Sequence, residues 1–313
     1  DDAAVIAETG PMWWHITTDL LAEGVHFDLN TASPESVGYR AAMANLSDIA
    51  AMGAAPRYLL ISLAVPRAFK PAHIFNLYSG LMKACRPHGV ALIGGDTSAS
   101  RGGLFINITL LGTTASGSAL FRHGARVGDH IYVTGTLGDS LAGLQLLTKP
   151  QPDKSSRRLS SPLRTAHRRF LIQRHLRPSA RLAEGQWLNR GGLATAAIDL
   201  SDGLSGDLRH LCEASRVGAE IDLEQLPLST ACRAYGEQRR IQPTQLALAG
   251  GEDYELLFTA DPAKRSDIAR QARTRGFHVT QIGTIRPHRF GMRMKTGDGT
   301  SRPIPLTSYE HFR

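Results

Sequence analysis

Ala197-Ile198-Asp199-Leu200-Ser201-Asp202-Gly203-Leu204 places two carboxylates and a hydroxyl within four residues, between a short apolar run and a helical one. An apolar strand entering Asp-Leu-Ser-Asp-Gly, with Leu204 to Leu211 after it, reads as strand, tight turn, helix. Asp199, Ser201 and Asp202 then stand at a strand end and a helix start, where unpaired backbone N–H groups and the helix dipole favour anions. A turn ending in Asp also serves as an ordinary helix N-cap, and the octet alone leaves both readings open. Recurrence weighs against the plain cap. Acids set among Gly, Thr, Ser and Asn return at Asp1-Asp2, Thr17-Thr18-Asp19, Asn45-Leu46-Ser47-Asp48, Gly94-Gly95-Asp96 and Gly250-Gly251-Glu252-Asp253, none beside a Lys or Arg. Solvated turns mix in bases more freely. Hard cations such as Mg²⁺ take carboxylate oxygens and leave their other positions to water and substrate phosphate, which is the chemistry such a set suits.

Working outward, the periodicity gives an alternation of helices and strands. Ile16 to Asp19 reads as a strand whose end carries hydroxyls and a carboxylate. Ser33-Pro34-Glu35 opens a helix with a capping Ser, a first-turn Pro and an early acid, and Gly53 closes it after Met52. Asn45 and Asp48, three apart, share a face near its end. Strands are predicted at Tyr58 to Val65, Val90 to Ile93 (ending at Gly94-Gly95-Asp96-Thr97) and Phe105 to Leu111, with a helix over Ala72 to Arg86. Thr113 to Gly128, loaded with small residues, marks a domain boundary. Beyond it, strands are predicted at His130 to Val133, Ala219 to Leu223, Tyr254 to Thr259, Phe277 to Ile282 and Arg289 to Met294. Helices are predicted at Ser140 to Leu147 and Ser179 to Leu188. This is an α/β (α+β) protein in two domains, residues 1–118 and 119–313. No Walker loop occurs, and Gly135 and Gly138 do not complete a dinucleotide fingerprint.

The 313 residues suffice for two cores. Apolar runs such as Leu59 to Val65 are far too short to span a bilayer, so no membrane partner is expected. Three widely spaced cysteines (Cys85, Cys212, Cys232) suit a reducing cytoplasm and buried structural thiols. The net charge of +8 invites a nucleic-acid reading until it is located. Seven bases between Lys149 and Arg169 face only Asp153, leaving about +2 for the rest of the chain. That segment, rich in Pro and Ser, reads as a solvated excursion, and no nucleic-acid partner is expected. Other single residues stay open at this level. His26 is either a partly buried histidine bonded to backbone or a substrate contact. Glu252 is either a solvated turn acid or a partner for a cationic group, and Arg122 either a domain-interface ion pair or a phosphate clamp.

Taken together, these segments resemble the thiamine-monophosphate kinases, in the superfamily shared with aminoimidazole ribonucleotide synthetases and selenophosphate synthetases. The matching stretches run in order along nearly the whole chain. They are Asp1-Asp2-Ala3-Ala4, Thr17-Thr18-Asp19 with Glu23-Gly24-Val25-His26-Phe27, Asn45-Leu46-Ser47-Asp48 with Ala51-Met52-Gly53-Ala54, and Ile93-Gly94-Gly95-Asp96-Thr97. They continue at Tyr132-Val133-Thr134-Gly135, Arg174-His175-Leu176-Arg177-Pro178, Ile198 to Leu204 and Gly250 to Leu256. The synthetases carry Gly-Thr-Lys where this chain has Gly24-Val25-His26-Phe27, and Gly-Gly-Glu in place of Gly94-Gly95-Asp96, which favours the kinases.

The resemblance implies ATP-dependent phosphorylation of thiamine phosphate with several Mg²⁺ ions. It also implies a two-domain fold whose N-terminal sheet pairs into a barrel across a homodimer. It casts Asp2, Thr17, Thr18, Asp19, Asp48, Asp96, Asp199 and Asp202 as metal ligands. Gly95, Asp96, Arg122 and Ser201 become nucleotide contacts, and His26, Glu252 and Tyr309 substrate contacts. A phosphate acceptor is already anionic near neutral pH, so no protein general base is expected.

Overall fold

The computed structural model describes residues 1–148, 163–305, 307 and 308. Helix α1 (Pro34–Ala51) is the axis of the molecule. Ser33 caps it by accepting from the Ser36 amide at 3.2 Å, Pro34 fills its first turn, and Gly53 leaves it with a left-handed φ of 65°. One face of α1 packs on a five-stranded sheet ordered β1 (Ala4–Ile6), β2 (Met12–Ala22), β5 (Phe105–Ala115), β3 (Ala55–Pro66), β4 (Ala91–Ser100). Its flanks meet α2 (Pro71–Cys85) and α5 (Leu182–Arg190), the latter in the second domain. A continuous core runs from Val37, Leu46 and Ile49 of α1 through Leu59, Ile61 and Ile108 of the sheet to Trp187 and Leu188 of α5.

Every pairing in the first sheet is antiparallel except β3 with β4. Alternation along β2 turns His15, Thr17, Asp19 and Leu21 toward α1, and Trp14, Ile16, Thr18 and Leu20 to the opposite face. On that opposite face Leu20, Tyr58, Leu60 and Phe105 stay exposed. Neither sheet closes on itself.

The second sheet runs β12 (Ser301–Pro303), β11 (Met292–Lys295), β8 (Val217–Asp222), β10 (Val279–Pro287), β6 (His130–Thr134), β9 (Leu256–Ala260), β7 (Ala196–Asp199). It is antiparallel apart from β8 with β11. Helices α3 (Asp139–Thr148), α4 (Thr165–Leu176), α6 (Leu204–Ser215), α7 (Thr230–Arg239), α8 (Pro243–Ala249) and α9 (Arg265–Arg275) complete the described domain.

Two sequence expectations change. The strand placed at Val90 to Ile93 continues through the glycines to Ser100. A Cβ at Gly95 would overlap the Ile61 carbonyl, so the bare backbone there serves close strand approach rather than a strand end. The basic excursion is not solvated throughout: Arg168, on α4, is half-buried and donates to the Leu146 carbonyl of α3 at 3.4 Å, whereas Arg169 on the same helix is exposed. Its remainder, residues 149–162, lies outside the described residues. Helices α7, α8 and α9, poor in apolar periodicity, escaped the sequence reading. No described helix is long and apolar enough to cross a membrane.

Candidate active site

Asp2, Asp48 and Asp199 come from three sequence-distant places: the start of the chain, the last turns of α1, and the end of β7. One carboxylate oxygen from each lies within 4.8 Å of the others. The anchoring is specific. Ser47 donates to Asp199 Oδ2 at 2.6 Å, so α1 bonds across the domain boundary, and Thr17 donates to Asp48 Oδ2. Arg122 reaches Asp2 Oδ1 at 2.5 Å through Nη2 and at 3.2 Å through Nε, while its amide donates to Asp1. The ion pair read for Arg122 is present, with its side chain still 28% exposed.

The electrostatics are those of crowded, desolvated anions. Burial, then Asp199, Asp19 and Asp2, holds Asp48 well above the usual carboxylate range. Burial, then Asp2, raises Asp199 to about 8, and burial raises Asp19 to about 6. Asp2 is raised by burial although Arg122 pulls the other way. Such a set is costly unless a cation compensates it, and Arg122 is one positive charge against four carboxylates. Asp2 Oδ2 is buried without a hydrogen-bond partner. Convergent hard oxygens with an orphaned acceptor fit a divalent cation of the Mg²⁺ type.

The Asp199 turn itself differs from the cap reading. Gly203 is the N-cap residue of α6 and makes no side-chain cap bond. Asp207, one turn into the helix, accepts from the amides of Asp202 (3.2 Å) and Gly203 (3.0 Å). Part of the amide nest expected to receive an anion is therefore already occupied. Burial, then Asp199 and Asp202, keeps the Asp207 carboxyl well above its ordinary pKa. Asp207 was missed in the sequence, although an acid in a first turn after Ser-Asp-Gly is itself a capping signal.

The 250–254 loop runs beside this turn. Tyr254 N–H donates to Leu200 O at 3.0 Å and Glu252 N–H to Ser201 O at 2.8 Å, and a Cβ on Gly251 would strike the Ser201 carbonyl. Its acids separate by role. Asp253 accepts from Gly138 and Ser140 amides at the start of α3, and Glu255 is buried against Thr134, Arg174 and Arg181. Glu252 stays partly exposed, ion-paired to Arg40 and 3.4 Å from His175 Nδ1. His26 Nδ1 accepts from the Ala22 amide at 3.0 Å, as the backbone-bonded reading expected.

Thr18 and Asp96 are not brought to the cluster. Leu20, Asn107, Ser62 and Asp96 form one rung across the first sheet, while Asp19, Ile108, Ile61 and Gly95 form the next. Adjacent rungs face opposite ways, so Asp96 points away from α1, and so does Thr18, bonded to Asn107 and Thr109. Asp202 and Ser201 border the cluster on the 199–203 turn. Tyr309 lies outside the described residues.

Fold and site together define a class: a two-domain AIR synthase-related protein carrying a half-buried carboxylate cluster at the domain junction. The family described as AIR synthase related protein, N-terminal domain, matches residues 1–114, and AIR synthase related protein, C-terminal domain, matches residues 126–295. The chain is 39% identical to the thiamine-monophosphate kinase of Haemophilus influenzae over 324 residues, covering 100% of this chain and 90% of that protein. A solved structure described as AaThiL complexed with AMPPCP and TMP superposes with a TM-score of 0.84 at 36% identity, over 100% of this chain and 91% of that one. The thiamine-monophosphate kinase from Stenotrophomonas maltophilia K279a gives 0.80 at 35% identity, over 96% and 90%. The chain belongs to the thiamine-monophosphate kinase family.

Proposed function

We propose that the protein transfers the γ-phosphoryl group of ATP to thiamine monophosphate, giving thiamine diphosphate, with Asp2, Asp48 and Asp199 holding divalent cations. The observation that carries this reading is the convergence of those three carboxylates, with Asp2 Oδ2 buried and unpartnered, in a chain of this family. Asp19 adds negative charge beside them, and Thr17 and Ser47 fix two of the carboxylates in place. Bound Mg²⁺ would neutralise phosphate oxygens so that two polyanions can meet, which is the principal demand of phosphoryl transfer. The chain's own residues orient the reactants and exclude water at the junction. No side chain is assigned as general base, because a phosphate monoester with a second pKa near about 6 is already an anion at neutral pH. His26 and Glu252 contact the acceptor. Gly95, Arg122 and Ser201 are assigned to the nucleotide, and Asp96, on the sheet face turned away from α1, joins them only across the seam between two copies. The open face of the first sheet pairs two copies into a homodimer, and Thr18 and Asp96 then line the seam between them. Three buried free thiols suit a cytoplasmic setting.

The test is direct. With ATP and Mg²⁺, thiamine monophosphate should yield thiamine diphosphate, whereas unphosphorylated thiamine should be a very poor acceptor across about pH 6 to 9. Ready phosphorylation of thiamine, or no turnover of thiamine monophosphate, would refute the reading.

A further inference from the structure

We infer that Arg40 is a positioning residue for the acceptor side of the site, tying the turn that presents His26 to the loop that presents Glu252. The inference rests on the proposal that those two residues contact the acceptor. Arg40 sits on α1 between Tyr39 and Ala41-Ala42, and is only 2% exposed. A fully charged side chain is rarely buried without a specific partner. Here its Nη2 donates to two places at once, the His26 carbonyl at 3.2 Å and Glu252 Oε1. These acceptors are 226 positions apart in sequence and belong to different domains. Arg40 Nε is buried with no hydrogen-bond partner, so the guanidinium is not placed to satisfy itself locally.

Each tied segment also has contacts within its own domain. The His26 turn closes through its own amide to Ala22 O at 2.9 Å and through Nδ1 to the Ala22 amide. Glu252 has a left-handed φ of 61°, which is unfavourable for a residue with a Cβ and persists only where its surroundings hold it. The Glu252 carboxylate meets two basic side chains, from opposite domains. His175, on α4, approaches Oε2 at 3.4 Å and also meets Ser140 Oγ at 3.1 Å. Burial, then Arg40, lowers the His175 pKa to about 4, leaving the imidazole neutral at physiological pH. Arg40 therefore supplies the full charge that fixes Glu252. The planar guanidinium fixes the two N–H directions of that one nitrogen on the carbonyl and the carboxylate, which the freely rotating ammonium of a lysine does less well.

Arg40→Gln and Arg40→Lys should raise the KM for thiamine monophosphate at least about tenfold and about threefold respectively, with kcat and the KM for ATP within about twofold. Adding Glu252→Gln to Arg40→Gln should cost much less than the two separate effects combined, because they act through one contact. Thermal melts of each variant check folding, and the milder lysine variant keeps the comparison available if the glutamine variant folds poorly. An Arg40→Lys variant with unchanged acceptor KM, or one raising both substrate KM values equally, would overturn the inference. If Glu252→Gln and His26→Asn alone leave acceptor KM unchanged, the acceptor-site reading fails first and this inference with it. If they raise it and the Arg40 variants do not, the positioning role alone is refuted.

Discussion

Asp48 and Asp199 approach from different domains, and each accepts a hydroxyl hydrogen bond that an amide oxygen could equally accept. Replacing either by Asn therefore keeps shape and local bonding while removing one hard anionic ligand. Asp48→Asn and Asp199→Asn should each lower turnover at least about a hundredfold, roughly 2.7 kcal/mol, with extra Mg²⁺ rescuing only in part. The same substitutions relieve repulsion among buried carboxylates, so without added Mg²⁺ each variant should melt no lower than the parent. Turnover measured across a Mg²⁺ titration, with melts alongside, checks both halves. Near-normal turnover with an unchanged Mg²⁺ requirement would reduce that residue to a turn or cap. At this scale the sequence showed which carboxylates were candidates. It placed Asp96 with Asp2, Asp48 and Asp199 as a metal ligand, although Asp96 faces away from them, and it left open the role of Asp253, which caps α3.

Between elements, α1 and α2 pack backbone against backbone. A Cβ at Gly38 would overlap the Leu77 carbonyl, and one at Gly80 the Glu35 carbonyl, so each helix lays a bare backbone turn against the other. Neither helix can withdraw freely, since α1 is also held by the sheet and α5. Gly80→Ala should destabilise the protein by about 2–3 kcal/mol despite its better helix propensity, because overpacking outweighs the ~1 kcal/mol gained intrinsically. Urea denaturation measures this, and a change within about 0.5 kcal/mol would show that the helices can part. The helix boundaries were legible through Ser33, Pro34 and Gly53. The purpose of Gly38 and Gly80 was not, because close approach depends on a partner helix about 40 residues away.

For the whole molecule, the first sheet has one face packed on α1 and another carrying exposed Leu20 (56%), Tyr58 (41%), Leu60 (38%) and Phe105 (37%). Large exposed apolar side chains gathered on one sheet face mark an association surface, and an isologous pairing of two sheets would cover them. Leu20→Glu with Leu60→Glu should convert a homodimer to a monomer in sedimentation velocity while the far-UV spectrum is retained. A parent chain that sediments as a monomer, or a variant that still dimerises, would refute the pairing. Loss of activity on dissociation is also expected, because Thr18 and Asp96 stand on that face rather than with the other carboxylates.

What the sequence determined by itself was local: strand, turn and helix around Asp199, the capped start and glycine stop of α1, the alternation of β5, and the list of oxygen donors suited to a hard cation. Those features depend on neighbours a few residues away, so periodicity and capping chemistry reveal them. Only the tertiary structure decided which donors meet. The side a strand residue faces alternates with every position, so the register of β2, β5, β3 and β4 sends Asp19 and Asp96 to opposite faces although their motifs look alike. Burial likewise divided Glu252 from Asp253 and Glu255 within a single run, and it joined Arg40 to a carboxylate 212 positions away, a contact that no local pattern encodes.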